Sequence, residues 1–155
     1  MPSTLTSLDY HVVFSTKYRR PTILPHLRDE LYRYIGGIVR AENGSLREIG
    51  GTSDHIHLLV GVPPTIAVSD AVRVIKANSS KWVNERADQD QKFQWQSGYA
   101  AFTVSVSQRE TVLRYIQNQE QHHRVRTFQE ELLDLLKRHR IDYDPRYLFD
   151  DEHVG

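Results

Sequence analysis

The 155-residue chain predicts an α+β fold: an antiparallel sheet in β-α-β-β-α-β order with helices on one face, followed by further C-terminal helices. Three observations lead there. Short β-branched and aromatic stretches alternate with longer segments whose apolar residues recur at helical spacing. The second and third of those short stretches are separated only by a Gly50-Gly51 turn and a few residues, so they must pair as antiparallel neighbours. After the fourth, two matches to the hydroxyl-x-x-Glu helix-start pattern announce two more helices. The order is the ferredoxin-like (split βαβ) arrangement, and it places the third strand centrally.

Leu8 to Thr16 (LDYHVVFST) is β-branched and aromatic, which predicts the first strand. Lys17-Tyr-Arg-Arg-Pro21 follows as a basic loop, and its proline stops the strand. Leu27, Leu31, Tyr34, Ile35 and Ile38 give one apolar face to a helix from about Pro25 to Glu42, which Asn43-Gly44 ends. The second strand spans Ser45 to Gly50, and the third occupies Thr52 to Val62 (TSDHIHLLVGV) until Pro63-Pro64. Val68, Ala71, Val72, Ile75, Trp82 and Val83 define a second helix, about Ile66 to Arg86, before a polar loop at Ala87 to Lys92. Tyr99 to Val106 alternates as the fourth strand. Ser107-Gln-Arg-Glu110 should cap a third helix, and Thr127-Phe-Gln-Glu130 a shorter one with Phe128, Leu132, Leu135 and Leu136 inside. Residues 1–140 therefore form one domain, and 141–155 an acidic tail.

Composition narrows the function. Hydrophobic residues at 39% and charged residues at 26% suit a globular domain, and no apolar run reaches the roughly 18 residues that cross a bilayer. The absence of cysteine excludes disulfides and thiolate metal sites, and the N-terminal residues lack the pattern of a signal peptide. A cytoplasmic protein with no membrane partner is expected. Net charge is zero, which argues against indiscriminate nucleic-acid binding. The distribution is uneven, because the tail holds five acids against Arg146 and leaves the body with 19 basic and 15 acidic residues. Lys17, Arg19 and Arg20 cluster at one end, and Arg114, Arg124 and Arg126 surround the third helix.

Two stretches carry the chemistry. His55 and His57 stand two apart on a strand, so both imidazoles point to one face while Ile56 and Leu58 point to the other. Two imidazoles on a central strand are costly unless something pairs with them, and together they make half of a metal site. Asp54 precedes them and can ligate or orient. Some 60 residues later, Tyr115-Ile-Gln-Asn-Gln119 places Tyr115 and Gln119 one helical turn apart, away from the apolar side formed by Val112, Leu113 and Ile116. A carboxamide oxygen beside two imidazoles is a third ligand for Mg²⁺ or Mn²⁺ and leaves positions open for phosphate oxygens. A tyrosine needs such polarisation to attack a phosphodiester, since its phenol titrates near pH ~10. His122 and His123 lie about 100° apart on a helix and suit phosphate contact better than joint ligation. His11 can line the same sheet face; His26, His139 and His153 are read as surface.

Together, Asp54-His-Ile-His-Leu58, the Tyr115 to Gln119 helix with His122-His123, and the opening Tyr10-His-Val-Val-Phe-Ser-Thr-Lys-Tyr-Arg-Arg20 resemble the single-tyrosine HUH transposases of small bacterial and archaeal insertion sequences, over about Leu8 to Phe128. The resemblance implies an HUH (Rep-like) ferredoxin fold that cuts and rejoins single-stranded DNA at element ends. Tyr115 would attack the phosphodiester, leaving a 5′-phosphotyrosine and a free 3′-hydroxyl. His55, His57 and Gln119 match the divalent-metal ligands, with Lys17, Arg19, Arg20, His11, His122, His123 and Arg124 near the DNA. It also implies subterminal hairpins as partners and a homodimer whose subunits share active sites, with a hinge near Gln108 to Thr111.

Replication initiators and relaxases favour a third histidine or paired tyrosines and extra domains. A histidine-triad nucleotide hydrolase needs a histidine where Leu59 stands. A non-mobile single-strand endonuclease keeps the same chemistry. A catalytically silent hairpin-binding protein would bind the same DNA but never form a covalent adduct.

Overall fold

The computed structural model describes residues 3–86, 92–146 and 148; most of the expected loop after the second helix, His153 and the end of the acidic tail lie outside them. Strands β1 (Asp9–Ser15), β2 (Ser45–Gly51), β3 (His55–Gly61) and β4 (Ala100–Val104) form one antiparallel sheet in the order β2-β3-β1-β4. β3 is central, as its apolar run and buried histidines require.

Helices α1 (Pro25–Ala41) and α2 (Val68–Arg86) bring Leu31, Ile35, Val72 and Ile75 against Val12, Phe14, Ile56, Leu58 and Val60 of the sheet, an apolar layer built by strand and helix periodicity together. The opposite face is covered by α3 (Arg109–Gln117), the single turn α4 (Gln119–His122) and α5 (Phe128–Arg138). There Phe128, Leu132, Leu135 and Leu136 pack on Val13 and Phe102, a smaller apolar patch that leaves the histidines beside it.

Two devices fix α3 on that face. A Cβ at Gly50 would stand 2.3 Å from the Ile116 carbonyl oxygen, so only glycine lets α3 lie this close to β2. The expected Gly50-Gly51 turn is therefore the end of a strand over which a helix crosses. At the helix start, the buried Asp9 carboxylate accepts hydrogen bonds from Arg109 at 2.7 and 2.9 Å and from Arg47 at 2.9 Å.

The capping box expected at Ser107 is not formed. Val106–Gln108 make a 3₁₀ turn, Ser107 pairs with the Ser105 hydroxyl, and α3 starts two residues later, where Asp9 holds Arg109. The box at Thr127 is present: its side chain accepts from the Glu130 amide while Glu130 reaches back to the Thr127 amide. Asn118 (φ −101°, ψ 21°) interrupts the helix between Tyr115 and Gln119. The Asn118 and His122 amides still bond back to the Arg114 and Asn118 carbonyls, so both side chains stay on the sheet side.

Candidate active site

β3 sets the floor of the site. His55 and His57 are both fully buried and face α3 to α5, as strand alternation requires. Their surroundings fix their roles. His55 Nδ1 lies 2.8 Å from Asp54 Oδ1, and burial of that carboxylate is outweighed by the hydrogen bonds it accepts from His55 and the Thr52 hydroxyl, so Asp54 stays ionised. An ionised carboxylate only accepts, so the ring proton sits on Nδ1 and the Nε2 lone pair points inward. Facing it at 3.0 Å is Gln119 Oε1, while the Gln119 amide nitrogen turns to the Tyr115 carbonyl at 3.5 Å. Two acceptors aimed at each other fit a shared cation, so this donor set suits the divalent ion expected from the sequence.

His57 Nδ1 meets His11 Nε2 at 2.8 Å, and its Nε2 lies 2.9 Å from Glu131 Oε1, an edge that donates a proton in one tautomer and offers a lone pair to a cation in the other. Burial lowers the His57 pKa to about 4 against the pull of Glu131, and burial with the His57 neighbour lowers His11 to about 3, so both rings are neutral at pH 7.

Glu131, on α5, is the hub. Its Oε1 accepts from His57 and from His123 Nε2 (3.0 Å) and lies 3.5 Å from His55 Nε2. Its Oε2 accepts the Tyr115 hydroxyl, which in turn accepts from Arg126 at 2.8 Å. Burial opposes the charge on Glu131, yet the His123 and His57 hydrogen bonds and neighbouring imidazoles hold its carboxyl well below the usual range. Burial, then Glu131, pushes the Tyr115 phenol above its ordinary value, with Arg126 opposing. His55, His57 and Glu131 present ligand atoms within 4.8 Å of one another.

The expected residues separate on this map. Asp54, His55, His57, Gln119 and Tyr115 converge, and His11 and His123 join them from either side. His122 stacks on the Tyr115 ring at 4.7 Å, bracing it. Arg19, His123 and Arg124 line a groove of about 590 Å³ with Arg126, next to Asp54. Lys17 and Arg20 do not reach it; both lie over the Tyr18 ring, at 5.4 and 5.1 Å. Glu131 and Asp9 were missed. The signal for Glu131 was available: with Phe128, Leu132 and Leu135 it completes the buried stripe of an amphipathic helix, a position where a lone carboxylate needs partners.

The chain matches the profile of a family described as "Transposase IS200 like" over residues 4–119. It is 34% identical over 105 residues to the transposase for insertion sequence element IS200 of Salmonella typhimurium, covering 61% of this chain and 66% of that one, just under two thirds of the relative's length. It is 28% identical over 118 residues to the ISDra2 transposase TnpA of Deinococcus radiodurans, covering 72% and 84%. The crystal structure of a candidate transposase from Deinococcus radiodurans R1 superposes with TM-score 0.61 at 25% identity, over 77% of this chain and 95% of that one. A REP-associated tyrosine transposase bound to a REP hairpin shares the fold, with TM-score 0.57 at 14% identity over 76% and 69%. No helix among the described residues is long and apolar enough to cross a membrane.

Proposed function

The chain belongs to the IS200-like transposase family, and from that premise we propose that it cuts and rejoins single-stranded DNA through a 5′-phosphotyrosine on Tyr115. The observation that carries the reading is the convergence, within one chain, of the Tyr115 hydroxyl and both β3 histidines on a single buried carboxylate. His55, His57 and Gln119 would hold Mg²⁺ or Mn²⁺. When bound, the ion supplies Lewis-acid polarisation of the scissile phosphate and neutralises part of its charge.

The remaining steps belong to the protein. The phosphate enters along the groove of Arg19, His123, Arg124 and Arg126, whose cations and donors hold its oxygens. Tyr115 Oη bonds to phosphorus as the bond to the 3′ oxygen breaks. The phenolic proton leaves along its hydrogen bond to Glu131 Oε2, which passes it on through solvent, and a water protonates the leaving 3′ oxygen to a free hydroxyl, so no net proton is gained or lost. A second 3′-hydroxyl reverses the sequence and joins new ends, so the phosphodiester energy is conserved in the enzyme linkage. Arg126, bonded to the phenol oxygen, stabilises negative charge developing there.

Hairpin-bearing DNA is the proposed partner; the REP hairpin held by the fold relative supports that choice. The proposed domain runs through residue 140 and works in the cytoplasm. Because the Tyr115 hydroxyl already bonds Glu131, which both β3 histidines of the same chain face, we propose a site assembled in cis, and a homodimer would carry two complete sites rather than exchanged ones.

The test is incubation with a single-stranded hairpin oligonucleotide and Mn²⁺. A covalent species should survive a denaturing gel and disappear with chelator, in Tyr115→Phe and in His57→Ala. Hairpin binding without any adduct would overturn the catalytic reading in favour of a silent DNA-binding domain.

A further inference from the structure

The metal set expected from the sequence, two imidazoles and a carboxamide, is entirely neutral, whereas Mg²⁺ and Mn²⁺ favour anionic oxygen. The structure supplies that oxygen from an element outside the expected set. Glu131 is fully buried, and its two oxygens do different things: Oε1 faces His57 Nε2 at 2.9 Å and His55 Nε2 at 3.5 Å, while Oε2 receives the Tyr115 hydroxyl. Ligands at right angles on an ion with bonds of ~2.1 Å lie about 3 Å apart. The His57–Glu131 and His55–Gln119 spacings, 2.9 and 3.0 Å, have that value, and the His55–Glu131 spacing is only slightly wider.

The geometry points to Glu131 as a fourth ligand that completes the site and, through its other oxygen, ties the nucleophile to the ion. The inference rests on the metal reading above and extends it. Four protein ligands on a six-coordinate ion leave two positions for the substrate phosphate. A single carboxylate spanning ion and phenol also sets the distance between them, so the C-terminal helix positions Tyr115 as well as supplying charge. α5 is held for this by Phe128, Leu132, Leu135 and Leu136 on the sheet and by its capping box.

The test uses the full chain without DNA and Mn²⁺ alone, titrated by calorimetry and by the loss of the free-Mn²⁺ paramagnetic resonance signal. Wild type should bind Mn²⁺ and His57→Ala should not. Glu131→Gln keeps shape and removes charge; it should weaken Mn²⁺ 10- to 100-fold or more, with Glu131→Asp recovering part of the loss. Metal-free melting of each variant establishes that it is folded. Glu131→Gln binding Mn²⁺ as tightly as wild type would overturn the assignment while leaving the histidine and glutamine ligands standing. Wild type that binds no Mn²⁺ would overturn it together with the metal reading.

Discussion

β3 is one strand with two unlike surroundings. Ile56, Leu58 and Val60 enter a layer shared with α1 and α2 whose contacts are apolar and replaceable by shape, the buried Trp95–Ser79 hydrogen bond apart. His55 and His57, one residue out of phase, enter a layer in which each ring nitrogen has a partner on a named element: Asp54, Gln119, His11 and Glu131. The first layer stabilises by area and tolerates exchange of similar volumes. The second is polar and buried, so it holds only while all its members are present. The same alternation that makes a sheet thus separates stability from chemistry across a few ångströms.

A pair of substitutions should break this separation most visibly. Leu58→Ala opens a cavity in the apolar layer and should cost ~2–5 kcal/mol by denaturant unfolding, while folded molecules keep near-normal adduct formation. Gly50→Ala should cost less stability, ~1–3 kcal/mol. It nevertheless pushes the Ile116 carbonyl and α3 off β2, so the displaced tyrosine should lose on the order of 100-fold in adduct rate. Equal activity loss in both variants would show that the faces are not separable.

Acid titration sharpens the same contrast. The unfolded chain protonates an ordinary histidine near pH 6.5, whereas folded His57 takes its proton only near 4 and His11 near 3. The unfolded state binds more protons between those values, so stability is complete above pH 6.5 and falls as the pH drops. From pH 7 to 5 the loss should be on the order of 2 kcal/mol for each buried imidazole, and His11→Gln should flatten the urea-midpoint profile by its share.

Asp54→Asn tests the orientation of His55 alone. Without the carboxylate the ring proton is no longer confined to Nδ1, and Mn²⁺ affinity should fall about 10- to 100-fold with little change in melting. The smallest effect belongs to the rim: Thr127→Ala removes the cap of α5 and should cost ~1 kcal/mol, measurable as a lowered melting temperature.

How far the sequence carries depends on which layer is asked about. On the apolar face the strand, α1 and α2 positions were legible, because strand and helix periods state which residues meet. Ile23, Phe93 and Trp95 are buried from outside those elements and carry no period, and the short link gives only the β2–β3 pairing. On the polar face, His55, His57, Gln119 and Tyr115 were legible because local spacing places them. For Glu131 the helix period marks a buried carboxylate but not what it meets, since its partners lie 74 and 16 residues away and only the folded chain brings α5 across β3. Asp9 and Gly50 escaped for the same reason: their significance lies in α3, a distant segment that needs a close approach at one end and an anchor at the other. Ser107 shows the converse, a local capping signal overridden by that anchor.

The most direct test of the account mixes two inactive proteins. Tyr115→Phe retains the histidines and His57→Ala retains the nucleophile, and each alone should form no adduct with a hairpin oligonucleotide and Mn²⁺. The proposed site, assembled in cis, predicts that co-refolded mixtures at any ratio remain inactive. Adduct reappearing in the mixture, on the His57→Ala chain, would show the tyrosine being delivered to another subunit's histidines and would contradict the single-chain site.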